Sequence, residues 1–324
     1  MSHEVTTRQN GLAEIAYVGD TPWHGLGQRL EAGASIETWK QSAGMDWRIC
    51  RSRVRYGEGD KQQIYDDKHV LFRSDTKAPL SIVSPKYQVV QPGEVLEFFR
   101  DLTEANGFEL HTAGTLFGGQ RFWALASIGE EAIVMGEDKV GGFLLLSSSC
   151  DGSMATTARF TSVRVVCNNT LTMAVGGKKA EVVVRHTSRF DAKAAKDQLG
   201  LARGQFHVFM KEARRLAQAK VSDSVVDSFL ESLLTETKTV VGEKKAVSES
   251  KQYQRILQLF RAGAMGGSLL GAQGTAWGLV NAVTQFVDHE ARARSTEQRL
   301  ATAWYGRGED LKNAAMAKAL ELAS

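Results

Sequence analysis

The sequence predicts an α+β fold: an antiparallel sheet of β-hairpins with packed helices, followed by a helical C-terminal region. Alternating apolar and polar residues flank short turns that contain Gly or Asp throughout the first half of the chain. Strand signals stop near Phe190, and the remaining sequence has helical composition. Hairpins followed by helices favour an antiparallel sheet over a doubly wound α/β fold. We therefore predict an α+β core domain over residues 1–189, and a helical region over residues 190–324 that packs on it or extends it.

The first hairpin is predicted over residues 47–73, on either side of the turn GEGD. Alternation in its first arm places Arg51, Arg53 and Arg55 on one face. The other face carries less polar residues, and its burial would leave the three guanidinium groups in solvent. This arm is the first candidate for binding a polyanion.

Two further hairpins follow. The segments FELHTAGTLF and QRFWALASI are joined at Gly118-Gly119, and VGGFLLLSSSC and SMATTARF flank Asp151-Gly152. Before them, LSIVS is predicted as a strand, and a helix begins near Pro92 because Pro is favoured in a first helical turn.

The segment ARFTSVRVVCNNTLTMAV, residues 158–175, is compatible with both a strand and a helix. A Thr-Ser pair at 161–162 suited to N-capping, an apolar stripe after it and a Gly-Gly pair at 176–177 favour a helix. Arg164 then lies in a first helical turn, beside free N–H groups, and we expect an anion such as phosphate there. The alternative is that Arg164 pairs with an acidic residue such as Asp151 or reaches solvent.

The helical region begins after one more strand, AEVVVRHTS. The helix TAWGLVNAVTQFVDHEARAR has a broad apolar face, which either packs in the core or contacts another protein. The other helices are predicted in DAKAAKDQLGLARGQFHVFMKEARRLAQAK, SDSVVDSFLESLL, SESKQYQRILQLF and DLKNAAMAKALELA.

The composition is that of a folded, weakly basic protein. Hydrophobic residues make up 43% of the 324 residues, and 40 Lys and Arg against 37 Asp and Glu give a net charge of +3. The 3 cysteines follow no C-x-x-C spacing, which predicts reduced thiols. No apolar run approaches the roughly 20 residues that a membrane span needs. We expect a cytoplasmic protein that is not bound to a membrane.

Sequence motifs for nucleotide hydrolysis and for metal catalysis are missing. There is no G-x-x-x-x-G-K-[ST] sequence, and the 7 histidines show no H-E-x-x-H spacing. We therefore predict no cofactor, no metal and no catalytic residues. The enzymatic alternative places His24, His186, Asp151 and Cys150 in one site, and their clustering in the structure would favour it.

Basic residues with aromatic residues among them are the remaining signal. Charged grooves with aromatic platforms hold single-stranded nucleic acids without reading their sequence, although each cluster alone also resembles an ordinary solvated surface. The predicted nucleic-acid-binding residues are Arg51, Arg53, Arg55, Arg121, Trp123, Arg159, Phe160, Arg164, Lys178, Lys179 and Arg185.

Ordered motifs along nearly the whole chain resemble the phage/plasmid-like proteins of the family called domain of unknown function 932. They are TPWHGLG (21–27), YQVVQP (87–92), GGQRFWALA (118–126), DGS (151–153), VRVVCNNTL (163–171) and TAWGLVNAVTQFVDH (275–289). In that family a His often precedes the DGS motif, where this chain has Cys150. The resemblance implies a mobile element in a bacterial host cell and no established activity.

In outline, such a chain is similar to single-strand annealing recombinases, which form rings or filaments and need no ATP. This similarity is an analogy of fold and setting. The leading hypothesis is an oligomeric protein that binds single-stranded DNA and anneals strands in recombination. The alternatives are a factor that binds a host-defence component and a nucleic-acid-processing enzyme.

Overall fold

A computed structural model describes residues 6–8, 10–19, 27–106, 108–167, 169–175, 178–179, 181–188, 191, 193, 197, 204–236 and 247–324. Its strands are β1 (Ile15–Val18), β2 (Gln28–Leu30), β3 (Ile49–Tyr56), β4 (Gln63–Arg73), β5 (Pro79–Val83), β6 (Glu109–Leu116), β7 (Arg121–Ile133), β8 (Lys139–Ser149), β9 (Thr156–Arg164), β10 (Asn169–Thr172), β11 (Ala174–Val175), β12 (Lys178–Lys179) and β13 (Glu181–Val184). Its helices are α1 (Ile36–Ser42), α2 (Pro92–Asn106), α3 (Gln205–Gln218), α4 (Asp223–Glu236), α5 (Lys251–Gln258), α6 (Ala276–Gln285), α7 (Thr296–Tyr305) and α8 (Arg307–Leu322). Single π-helical turns, Leu259–Gly263 and Phe286–Glu290, extend α5 and α6.

The predicted α+β class is confirmed. The largest sheet has the strand order β10-β9-β8-β7-β6-β1-β2, with β13 paired to β9, and a separate sheet has the order β3-β4-β5. Pairing is antiparallel between β6 and β7, β9 and β10, and β3 and β4, and parallel between β1 and β2. None of the helices in the described residues is long and apolar enough to cross a membrane.

The three predicted hairpins are present. The first is β3–β4, the second is β6–β7, and β8 and β9 are neighbours on either side of the Asp151-Gly152 turn. In the β6–β7 turn, Gly118 and Gly119 have φ values of 67° and 96°, which disfavour residues with a side chain. At Gly119 an added Cβ would also lie 2.5 Å from the ring of Trp47. The Gly-Gly signal therefore has both a conformational and a steric cause.

The prediction of a helix beyond Thr161 is wrong. Strand β9 continues through Arg164, a turn follows, and β10 returns with Thr172 opposite Thr161. The Thr161 and Ser162 hydroxyls donate to the Leu171 carbonyl at 3.0 and 3.2 Å instead of capping a helix. Cross-strand pairing thus satisfies groups that the helical interpretation assigned to a cap. The residues of the predicted apolar stripe do not share one element: Val163 lies in β9, Val166 and Cys167 lie in the turn, and Leu171 lies in β10.

The chain divides into two compact units, and the predicted boundary after residue 189 stays a prediction. Unit 1 consists of Met1–Gly129, Phe143–Arg159 and Glu181–Ala202. Its core includes large, fully buried side chains from helices and strands. Within it, the buried Arg73 guanidinium pairs with the Glu14 carboxylate at 2.7 Å.

Unit 2 consists of Glu130–Gly142, Phe160–Ala180 and Arg203–Ser324. Every residue of α6 is buried, and this helix packs against α3 and α8. The Thr275 hydroxyl caps α6 by accepting from the Gly278 N–H at 3.1 Å. The apolar face of this helix is therefore core, which confirms the packing alternative and removes it as a surface for another protein.

Candidate nucleic-acid interface

The tip of the β3–β4 hairpin is exposed on both faces. Every residue from 51 to 68 is exposed except Val54, which is half-buried. We call residues 51–68 the basic ribbon, because Arg51, Arg53 and Arg55 lie along its first strand. Such a ribbon offers both faces of a two-stranded hairpin to a ligand.

The arginines of the basic ribbon differ in what holds them. The Arg51 guanidinium donates to the Tyr87 carbonyl at 2.6 Å, which fixes its position. Among the described residues, the side chains of Arg53 and Arg55 have neither a hydrogen bond nor an ion pair. Their guanidinium groups are free to bind an anion without breaking an existing interaction.

The sequence predicted that the arginines lie on the face of the hairpin opposite to the core. The structure does not place them there. Residues that pair directly across antiparallel strands share a face, and Arg51 pairs with Leu71 while Ile49 pairs with Arg73. Leu71 and Ile49 are buried. The arginine face therefore covers the core at the base of the hairpin and reaches solvent only at its tip. A register shift after Arg53 marks this change.

Two tyrosines lie near the tip of the ribbon. Tyr56 and Tyr65 are 54% and 44% exposed, and their rings meet edge to face with centres 6.3 Å apart. The Tyr56 hydroxyl donates to Gln63 at 2.9 Å. Exposed aromatic rings of this kind are platforms on which unpaired bases stack. Tyr65 was missed in the sequence analysis, which assigned binding residues only to the first strand of this hairpin. Trp47, at the start of the predicted hairpin, is buried beneath the Arg73 guanidinium.

The ribbon also carries acidic residues, so its attraction for polyanions is local. Glu58 and Asp60 lie in the turn, and Asp66 and Asp67 lie in the irregular part of β4. None of these four carboxylates forms a salt bridge with Arg53 or Arg55 among the described residues. We therefore expect a small number of phosphate contacts rather than a long basic track.

Four predicted binding residues are buried, and their assignment to a binding surface is corrected. Trp123, Arg159, Phe160 and Arg164 lie in β7 and β9 with at most 4% of their surface exposed. Most residues of β9 are buried on both faces of the strand, so neither stacking on a base nor contact with a phosphate is open to these side chains. Alternation marked these positions as strand but did not reveal that both faces are covered.

Arg164 is occupied by a protein carboxylate. Its Nε and Nη2 donate to the two carboxylate oxygens of Asp138 at 2.7 and 2.8 Å. Asp138 also accepts from Trp277 Nε1 at 2.9 Å, and Arg164 donates to the carbonyls of Met265 and Gly266 at 3.3 and 3.0 Å. The anion expected beside Arg164 is thus Asp138, not phosphate and not Asp151.

The remaining predicted cations are divided. Arg121 is half-buried, donates to the Ser153 hydroxyl at 3.1 Å and lies over the Phe117 ring. Arg185 is exposed. Lys178 and Lys179 form β12, but their side chains lie outside the described part of the structure. Arg185 therefore stays a candidate for binding nucleic acid, in addition to the basic ribbon. Arg121 instead has a structural role in the β8–β9 turn.

The candidate catalytic residues of the sequence analysis meet at Tyr87. Its ring stacks on His186 with centres 4.6 Å apart, and its hydroxyl donates to the Ser149 carbonyl at 2.9 Å. Burial raises the pKa of Tyr87 well above its ordinary value, and negative charge at Cys150 and Asp151 would raise it further. His186 thus contacts Tyr87, and Cys150 and Asp151 lie near enough to Tyr87 to affect its pKa, whereas His24 lies outside the described residues.

The chemistry of this cluster is limited by burial. Burial raises the pKa of the Cys150 thiol to about 12, so the group is protonated at neutral pH and is not a thiolate nucleophile. His186 Nδ1 lies 3.0 Å from the Gln88 carbonyl and must be the N–H that donates to it. Nε2 is then left without a partner in a buried position. Within the described residues, no group of acidic, His and Cys side chains is arranged to hold a metal.

Comparison with known proteins gives one match. The family model described as a domain of unknown function, DUF932, matches residues 79–304. No curated protein and no solved structure matches. The matched region includes the Tyr87 cluster, and the basic ribbon precedes it.

Proposed function

The chain belongs to the DUF932 family, whose function is unknown, and from this premise we propose that it binds single-stranded nucleic acid on the basic ribbon. The observation that carries the proposal is a protruding hairpin with unpaired arginines and exposed tyrosines. Arginine binds phosphate oxygens through a planar, bidentate fork, so Arg53 and Arg55 suit a nucleic-acid backbone. Arg51, held by the Tyr87 carbonyl, supplies a preorganised charge at the first residue of the basic ribbon.

A single strand fits this surface better than a duplex. Stacking on Tyr56 and Tyr65 requires bases that are unstacked from their neighbours, and only an unpaired strand offers them at little cost. A strand whose phosphates are neutralised by the arginines repels a second strand less. Its bases that are not stacked on each other stay open to pairing. Strand annealing in an oligomer, in the cytoplasm of a host of a phage or plasmid, is the wider setting that we propose.

The experiment is a titration of a labelled single-stranded oligonucleotide across a salt series. Removal of one phosphate contact lowers the slope of log K against log salt by about 0.7 for single strands. We therefore expect R53A/R55A to lower the slope by up to about 1.4. The control K211A/K251A removes the same charge from exposed positions in unit 2 and should bind like the natural chain.

The tyrosines supply a second, salt-independent measurement. Loss of a stacked base costs about 1–3 kcal/mol, so Y56A/Y65A should weaken binding at every salt concentration without changing the slope. Absence of binding at low salt, or equal losses in R53A/R55A and the control, would contradict the proposal. Equal affinity for a duplex of the same length would contradict the preference for single strands.

A second candidate function is the processing of nucleic acid at the Tyr87 cluster, and the unpartnered Nε2 of His186 favours it. An imidazole whose Nδ1–H is fixed by a carbonyl presents its Nε2 atom to a substrate. His186→Gln keeps a polar side chain and should abolish any cleavage of a bound oligonucleotide while leaving its affinity unchanged. Persistent cleavage by that variant would exclude His186 as the base.

A further inference from the structure

A cavity in unit 2 has a volume of about 640 Å³. Its lining consists of Arg292, Ala293, Arg294, Gln298 and Thr302. The cavity lies where the irregular segment 291–295 leads into α7, and it is open to solvent because Arg292, Arg294 and Gln298 are exposed. The space is large enough for a ligand of nucleotide size.

The two arginines of this cavity have no counter-charge. Arg292 and Arg294 are exposed, and among the described residues neither has a hydrogen bond or an ion pair. The neighbouring carboxylates are already occupied: Glu290 pairs with Arg255 at 2.9 Å, Asp288 pairs with Lys312 at 2.6 Å, and Glu297 has an interaction partner as well. Two like charges two residues apart repel each other, and an anion bound between them would remove that repulsion.

The segment that carries these arginines is held at both ends. The Ala291 N–H donates to the Phe286 carbonyl at 2.6 Å, and π-helical turns such as this one occur frequently at functional sites. The Ser295 hydroxyl accepts from the Gln298 N–H at 3.0 Å and caps α7. Arg299 of α7 donates to the His289 carbonyl at 3.0 Å. Binding would therefore cost little backbone ordering.

The polar lining contains one more group that is free to bind. The side-chain amide of Gln298 has no hydrogen bond among the described residues, so it offers both a donor and an acceptor. The Thr302 hydroxyl, in contrast, donates to the Arg299 carbonyl at 3.2 Å. The cavity is thus lined both by cationic groups that suit an anion and by an amide that suits a neutral polar group.

We propose that this cavity binds a phosphate monoester of nucleotide size, with Arg292 and Arg294 on the phosphate and Gln298 on a polar group of the remaining ligand. A dianionic phosphate matches two guanidinium groups in charge and in hydrogen-bond geometry. The monoester belongs either to a free nucleotide or to the 5′ end of a nucleic acid. The proposal concerns residues of unit 2 and does not depend on the basic ribbon.

Calorimetric titration tests the proposal with deoxyadenosine 5′-monophosphate, deoxyadenosine and inorganic phosphate as probes. We expect the monophosphate to bind, the nucleoside not to bind, and phosphate to bind more weakly than the monophosphate. In R292A/R294A the affinity should fall by roughly tenfold or more for each charge-assisted hydrogen bond that the substitutions remove. The charge-matched K211A/K251A chain and R53A/R55A should bind the monophosphate like the natural chain.

Oligonucleotides with and without a 5′-phosphate distinguish the two sources. Tighter binding of the phosphorylated oligonucleotide, abolished in R292A/R294A, identifies the end of a nucleic acid as the ligand; binding of the mononucleotide alone identifies a small molecule. Absence of binding, equal affinity for phosphate and monophosphate, or unchanged affinity in R292A/R294A would overturn the proposal. Circular dichroism of R292A/R294A establishes that a loss of binding is not a loss of fold.

Discussion

Replacing Arg164 with Ala separates a structural arginine from a nucleic-acid-binding one. The Arg164 side chain is 2% exposed and the Asp138 side chain is fully buried, and the pair makes two charge-assisted hydrogen bonds. After the substitution, the Asp138 carboxylate keeps the Trp277 N–H as a donor but has no cation beside it. The carbonyls of Met265 and Gly266 also lose a donor. We expect Arg164→Ala to lower the free energy of unfolding.

The magnitude follows from burial. An exposed pair is worth at most about 1 kcal/mol, whereas removal of one partner of a buried pair costs about 3–5 kcal/mol because a buried charge stays behind unpaired. Arg164 and Asp138 belong to the second class. The double variant Asp138→Ala/Arg164→Ala removes the stranded charge as well. Its loss should therefore be smaller than the sum of the two single losses.

The assay is urea unfolding followed by circular dichroism, with oligonucleotide binding measured on the same samples without urea. If unit 2 unfolds in its own transition, the change is taken from that transition. Folded Arg164→Ala should bind a single strand as the natural chain does, in contrast to R53A/R55A. A loss of stability below about 1 kcal/mol, or a folded variant with the binding defect of R53A/R55A, would refute the structural role of Arg164.

Other consequences follow from burial. Iodoacetamide should modify half-buried Cys50 before Cys150, whose pKa burial raises to about 12, and equal rates by mass spectrometry would contradict this. Burial lowers the pKa of His289 below 6.5, so the unfolded chain takes up this proton first as the pH falls. The contribution of His289 to stability is therefore present above pH 6.5 and lost below it. Between pH 8 and pH 5, the melting temperature of the natural chain should fall by more than that of His289→Gln. At Gly278 of α6 an added Cβ would lie 1.9 Å from the Ala272 carbonyl, so Gly278→Ala should lower stability by about 1–3 kcal/mol or more in thermal unfolding, and an unchanged melting temperature would show that the backbone yields.

The hairpins were predictable because their signals are local. The GEGD turn, the Gly118-Gly119 pair and the Asp151-Gly152 pair each lie between segments that alternate with a period of two. Likewise Ser250 and Thr275 cap α5 and α6 near the positions where the sequence starts its helical patterns. Turn and cap chemistry involves residues within a few positions of each other, so the chain itself reports it.

The segment around Arg164 was not predictable in the same way. The spacing of its apolar residues also fits a helical period. The segment forms a strand rather than a helix because β10 pairs with β9. The cluster at Tyr87 shows the same limit, because its members come from segments at 87, 149–151 and 186. The motif YQVVQP drew attention to Tyr87, yet nothing in it indicated which partners the ring would meet.

The sequence by itself determined the α+β class, the hairpins, most of the helices and the family, since turn chemistry, hydrophobic period and ordered motifs are properties of neighbouring residues. Only the tertiary structure decided which arginines are available. Arg53 and Arg164 both lie in β-strands and look alike in the sequence, but Arg53 lies on a protruding hairpin and Arg164 meets Asp138 in a covered sheet. Burial and ion pairing depend on residues far apart in the chain, and therefore the accessible charge of a surface is a property of the folded molecule.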